Sequence, residues 1–152
     1  MTSGDNRALG KPTEQSSTVL WLAGSSAKAV DGCKITNYYQ WCCTHTDNET
    51  EPWWGVDLQT TYNIAMVKVL NRGDGSCNCS KFIPTTYVHI KSYICIVEVL
   101  TADRLNNFDV MVASDVIDPT LSSDKQLCAH VDGPVAEGGW MEIYCNPPIS
   151  GR

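Results

Sequence analysis

The sequence predicts an all-β sandwich. Apolar residues recur in short strand-like runs: Val56-Asp57-Leu58, then Thr61 to Leu70 with Ile64, Met66-Val67 and Val69-Leu70, and later Gly139 to Tyr144. Alternation of this kind, rich in β-branched residues, fits half-buried strands. Turn signals such as Asp31-Gly32 and Arg72-Gly73-Asp74 separate the runs. Many short strands with turns between them indicate a sandwich. No internal repeat or low-complexity tract interrupts the pattern.

At 152 residues, one domain spanning 1–152 is expected, long enough to bury a core. The net charge of -6 argues against nucleic acid, which selects basic faces. No apolar run is long enough to span a bilayer. The eight cysteines stand at 33, 42, 43, 77, 79, 95, 128 and 145. No Cys-x-x-Cys pair with a matching second pair occurs, which disfavours a zinc ribbon. Disulfides are the better reading and imply an oxidising, secreted or extracellular location. The sequons Asn48-Glu49-Thr50 and Asn78-Cys79-Ser80 agree weakly with that location. Met1 to Asp5 lacks the apolar core of a signal peptide. The expectation is a removed signal or one module of a longer secreted protein.

Residues 1 to 28 are rich in Ser, Thr and Gly and read as an extended edge segment followed by loops. Val19-Leu20-Trp21-Leu22 fits a short helix or a strand, because four residues cannot settle a period. Ala29 to Gly32 begins a turn, and Asn37-Tyr38-Tyr39 follows. Trp53-Trp54 reads as core packing, the usual fate of large aromatics. Residues 111 to 140 read as a polar loop rich in Asp, Ser and Gly. His89 and His130 match no motif and are expected to be structural or exposed.

Four motifs point further. They are Asn6-Arg7-Ala8-Leu9-Gly10-Lys11-Pro12, Cys43-Thr44-His45-Thr46, Pro52-Trp53-Trp54-Gly55-Val56-Asp57-Leu58 and Asn71-Arg72-Gly73-Asp74, with 26 residues between His45 and Arg72. Together they resemble the F-type (fucose-binding) lectins, part of the wider discoidin-like, coagulation factor 5/8 C-type group. The resemblance covers about 6–74 and 103–152 and implies a jelly-roll β-sandwich. Arg104-Leu105-Asn106-Asn107-Phe108-Asp109-Val110 fits the family's second-arginine strand. It arrives after a foreign block from about Gly75 to Ala102. Within that block, Thr86 to Ile90 and Ile94 to Leu100 resemble the family's last strands, normally C-terminal. A terminal segment is therefore expected to be relocated to residues 86–99, as in a rearranged bindin-like F-lectin repeat. The alternative is an inserted hairpin on a truncated domain.

The resemblance also assigns roles. His45, Arg72 and Arg104 would bind L-fucose, with Asp74 holding the guanidinium planes. A guanidinium offers donors in a rigid fork suited to neighbouring sugar oxygens. Tyr39, Trp21 or Leu22, and the Cys77/Cys79 region would form an apolar shelf for the methyl group. The family's calcium loop is depleted here. Asp31 remains, but Cys33, Cys42 and, in the relocated segment, Ile96 stand at ligand positions, while calcium takes about six to eight oxygens. Cofactors are accordingly none for certain, with calcium doubtful. Four disulfides are implied: Cys43–Cys95, Cys128–Cys145, Cys77–Cys79, and Cys33–Cys42 in place of the metal.

The function so implied is a secreted lectin for terminal L-fucose, serving innate recognition or cell and gamete adhesion. Its partners would be fucosylated glycans or glycoproteins, with no nucleic acid and no membrane insertion. Weak single sites make oligomers or tandem modules expected. The alternative function is a discoidin-like lipid- or protein-binding module, with Trp21-Leu22 as its apolar spike. Arg72-Gly73-Asp74 could also serve as an integrin-binding tripeptide. No Ser-His-Asp order, paired acids or metal triad supports an enzyme.

Overall fold

The longest core strands form where apolar, often β-branched residues recur along the chain. In chain order the strands are β1 (Thr13–Gln15), β2 (Thr44–His45), β3 (Trp53–Val56), β4 (Tyr62–Asn71), β5 (Thr86–His89), β6 (Ile94–Val97), β7 (Phe108–Val112), β8 (Gln126–Val131) and β9 (Trp140–Gly151). This computed structural model describes residues 6–19, 24–47, 49–74, 86–89, 94–97 and 105–152, with 86–89 and 94–97 described by backbone alone. Among the described residues, one sheet runs β1-β3-β5-β7-β8 and the other β2-β6-β4-β9. The architecture is a jelly-roll β-sandwich.

The core lies between the sheets. Trp54 and Val56 of β3 and Phe108, Val110 and Val112 of β7 meet Val67 and Val69 of β4 and Ile143 of β9 in one buried cluster. Of the tryptophan pair expected to pack in the core, Trp54 is buried and Trp53 is half-buried. The Trp54 indole N–H donates to the Ser26 carbonyl at 2.8 Å, so the ring's one polar group is satisfied.

The block between Gly75 and Ala102 supplies a strand to each sheet. β5 pairs parallel with both β3 and β7. β6 pairs parallel with both β2 and β4. An inserted hairpin would pair β5 with β6. Here the two strands sit in different sheets, so the hairpin alternative does not hold. The register Thr44↔Ile96 sets residue 95 opposite residue 43, one step back on both strands. Cys43 is disulfide-bonded. The side chain of Cys95, together with Cys77, Cys79, Asn48 and Asn78, lies outside the described residues.

Two expectations need correction. The polar loop over 111–140 is shorter than expected, because β8 lies inside it. β8 is an edge strand whose residues are exposed or half-buried, so it lacks the period-two signal of a core-facing run. The rest of the loop is ordered by its own acids. The Ser122 hydroxyl, then the Ser123 and Val116 N–H groups, hold the Asp115 carboxyl well below the usual carboxylate range. The last strand is also longer than Gly139 to Tyr144. β9 leaves register between Tyr144 and Ile149, then pairs again with β4 up to Gly151. The departure holds Pro147-Pro148, which have no N–H for a ladder. Cys128 of β8 bonds Cys145 of β9, Cα atoms 4.6 Å apart, and ties the two sheets together.

His130 stands opposite Asp109 across β7 and β8. Its Nδ1 lies 2.6 Å from Asp109 and its Nε2 3.1 Å from Asp132. The hydrogen bond to Asp109 raises its pKa above the ordinary 6.5. A raised folded-state value means that stability is fully present below the unfolded pKa and lost as pH rises through the folded one. Thermal melts from pH 5 to 9 should therefore show His130→Gln trailing wild type most in acid, with the gap closing as pH rises.

Candidate functional site

β2 ends at His45 and β4 ends at Asn71, with β6 between them, and a 3-10 turn formed by Tyr38–Gln40 lies against His45 and Arg72. Asn37 caps that turn by accepting the Tyr39 N–H. His45 is placed mainly by backbone. Its N–H donates to the Gly24 carbonyl at 2.9 Å, and its own carbonyl accepts from Val19 N at 3.1 Å. The Gln15 amide donates to both carbonyls, of Gly24 and His45. Gly24 is required by space: a Cβ there would lie 2.5 Å from the His45 Cβ.

The Arg72 segment is equally fixed. Asn71 accepts the Arg72 N–H on its side-chain oxygen and donates its amide to the Val135 carbonyl. Gly138 N donates to Arg72 O at 2.8 Å, and Gly73 N to Thr36 O at 2.9 Å. A Cβ on Gly73 would fall 2.7 Å from Gly138 Cα, so the turn has no room for a side chain. Arg72 Nε donates to Asp74 Oδ1 at 2.5 Å, the two side chains being only 8% and 3% exposed. An integrin-type reading of Arg72-Gly73-Asp74 needs both charges displayed to solvent. Here they face each other, so that reading does not hold.

One residue that sequence reasoning passed over joins these parts. Tyr38 is 3% exposed. Its hydroxyl lies 2.5 Å from His45 Nδ1, and the two rings meet edge to face at 5.0 Å. The Arg72 guanidinium carbon lies 4.5 Å from the centre of the same ring. The Tyr38 N–H donates to Asp74 Oδ2 at 3.1 Å. In the sequence only the tyrosine pair Tyr38-Tyr39 signals it. Tyr39 is 60% exposed, 6.0 Å from the Arg72 guanidinium.

Of the residues expected to form the site, the structure brings His45, Arg72, Asp74 and Tyr39 together. Trp21, Leu22, Cys77, Cys79 and Arg104 lie outside the described residues.

Residues 28–152 match the family model described as a NedA-like, galactose-binding domain. Fucolectin-4 of the eel Anguilla japonica is 47% identical over 127 residues, which are 84% of this chain and 55% of that protein. The chain belongs to this galactose-binding domain family and, within it, to the F-type lectins. Among solved structures it is similar to a fucolectin from striped bass (Morone saxatilis) serum, with a TM-score of 0.72 and 25% identity over 99% of this chain and 40% of that one. A Streptococcus pneumoniae fucose binding module matches with a TM-score of 0.66 and 26% identity, covering 100% of this chain and 82% of that one. This F-type lectin thus spans little more than half of the eel protein and less than half of the bass protein.

The calcium that the family resemblance implies does not fit the residues of this F-type lectin. Asp31 accepts the Cys33 N–H at 2.8 Å and lies 3.8 Å from Lys28 Nζ. Cys33 and Cys42, at two expected ligand positions, are bonded to each other with Cα atoms 5.7 Å apart. Among the described residues, no three His, Cys, Asp or Glu side chains cluster as a metal site. No described helix is long and apolar enough to cross a membrane.

Two substitutions test this construction. Asp74→Ala strands a buried guanidinium and should cost about 3–5 kcal/mol. Gly24→Ala overpacks the His45 strand and should cost about 1–3 kcal/mol. Denaturant unfolding measures both, and losses under half a kilocalorie would contradict the packing described.

Proposed function

We propose that this chain is a secreted fucose-binding lectin module that recognises terminal L-fucose on glycans. The carrying observation is the buried group of His45 and Arg72, held on one phenol with Asp74 as counter-charge. Two of its relatives, a fucolectin and a fucose binding module, support the same ligand.

The chemistry suits a deoxy sugar. L-Fucose is neutral and carries a ring oxygen, adjacent hydroxyls and an apolar methyl group. A neutral ligand cannot balance a buried guanidinium, so the protein must supply the opposite charge itself, and Asp74 does. With Nε committed to Asp74, the Nη groups of Arg72 would read the ring oxygen and a hydroxyl. His45 would bond the axial hydroxyl. Arg104 would add a second fork. Tyr39, the exposed ring over Arg72, would take the methyl group and one sugar face, helped by Trp21 or Leu22 and by Cys77 and Cys79. The acidic chain and its disulfides suit an extracellular setting. Each site makes few hydrogen bonds, so adhesion or innate recognition of fucosylated glycoproteins would rest on several modules or subunits acting together.

Calorimetric titration with L-fucose tests the reading. Wild type should bind, and His45→Ala and Arg72→Ala, checked for fold by circular dichroism, should each weaken binding about 10- to 100-fold, the equivalent of roughly 1.5–3 kcal/mol for a charge-assisted hydrogen bond. Absence of L-fucose binding by wild type, or unchanged affinity in both variants, defeats the proposal.

Calcium dependence provides a separate check. Excess chelator should leave affinity unchanged. The Cys33→Ser/Cys42→Ser double variant should lose about 2–4 kcal/mol of stability and bind sugar more weakly, because Tyr38 and Tyr39 lie within the loop that the bond closes.

A further inference from the structure

We infer that Tyr38 is the positioning residue of this site, setting which proton His45 carries and the plane in which Arg72 lies. The inference rests on the fucose-binding reading for its consequence, but its structural part stands alone.

A histidine ring has two nitrogens, and a neutral ring carries one proton. The group bonded to one nitrogen decides what the other presents. Here the partner of Nδ1 is a phenol at 2.5 Å, in a pair of rings almost perpendicular at 87°. Two arrangements fit that distance: the phenol donates to Nδ1, or Nδ1–H donates to the phenol oxygen. The first is favoured chemically. A phenol oxygen shares its lone pair with the ring and accepts poorly, whereas an unprotonated imidazole nitrogen accepts well. The Arg72 cation, 4.5 Å above the phenol ring, draws electron density from it and strengthens the O–H as a donor. With Nδ1 accepting, the proton sits on Nε2.

With its proton on Nε2, His45 would offer a sugar a donor, as the guanidinium does. The two described groups proposed to read the sugar, His45 and Arg72, would then both be donors and select a ligand by its acceptor oxygens. A sugar ring oxygen and hydroxyl oxygens meet that demand. An ammonium group or an amide N–H at the same place would meet another donor and be refused.

Tyr38 also orients the second reader. Its ring face receives the guanidinium, while its backbone N–H holds the Asp74 oxygen that is not used by Arg72. Tyr38→Phe keeps the ring and the backbone and removes only the hydroxyl. It therefore separates tautomer control from stacking.

The experiment combines nitrogen-15 NMR of the His45 ring with calorimetry against L-fucose, on wild type and Tyr38→Phe. Ligand-free wild type should show an acceptor-type Nδ1 and a protonated Nε2. In Tyr38→Phe the His45 signals should move toward a mixture of tautomers, and L-fucose affinity should fall about 5- to 10-fold, as expected for one hydrogen bond. A protonated Nδ1 in neutral wild type overturns the inference whether or not sugar binds. So does a variant that keeps both the wild-type tautomer and the wild-type affinity. Wild type that shows the expected tautomer yet binds no L-fucose upholds the role of Tyr38 and defeats the sugar reading instead.

Discussion

A guanidinium shut away from water constrains everything around it. Arg72 is 8% exposed, and a cation at that depth is tolerated only with an opposite charge in good geometry and with its neighbours' hydrogen bonds met. Asp74 supplies the charge from two residues away, which forces residues 72–74 into a tight turn. The turn in turn requires a glycine at 73, where a Cβ would strike Gly138. Asp74's second oxygen needs a donor, and Tyr38 N provides it. One buried pair thus recruits three separated stretches of chain, around 38, 72 and 138, to one end of the sandwich.

The sandwich itself depends on the two strands within residues 86–99, in the middle of the chain. Without β5, the first sheet would part into β1-β3 and β7-β8. Without β6, the short β2 would have no ladder partner connecting it to β4. The consequence reaches the binding end directly. His45 pairs with Val97 and Asn71 with Ile96, so one four-residue strand spaces the imidazole strand from the arginine strand. A chain order different from the usual one is compatible with the same fold because core packing depends on which strands are neighbours, not on the order in which they are joined.

The parts of this design visible in the sequence are those with a short-range signature. Trp54, Val56 and the β4 run announce themselves by alternation, and His45, Arg72 and Asp74 by spacing. β8 was hidden because its core-packed residues Cys128, Ala129 and Val131 do not alternate strictly with its exposed ones. The end of β9 was hidden because Pro147-Pro148 reads as a stop, whereas the strand steps around it and resumes. Tyr38 was hidden for a different reason. Its role is made of long-range contacts, to residues 45, 72 and 74, and nothing within its own neighbours distinguishes it from Tyr39. The structure separates them at once, one buried and the other 60% exposed.

That pair of tyrosines also explains why a covalent bond can do what a metal would do. An ion restrains a loop by gathering oxygens, and it needs six or so of them in place. A disulfide restrains the loop chiefly by limiting how far the unfolded segment can wander, and needs only two sulfurs within reach. The Cys33–Cys42 bond closes a segment with Tyr38 and Tyr39 near its far end, so the limit falls on the residues that Arg72 lies against. The remaining freedom is removed by Thr36, whose carbonyl accepts from Gly73, and by Asn37, whose side chain accepts from Tyr39 N. A loop tied at both ends and pinned in the middle has little need of a central ion. Asp31 braces the start of the same loop by accepting the Cys33 N–H.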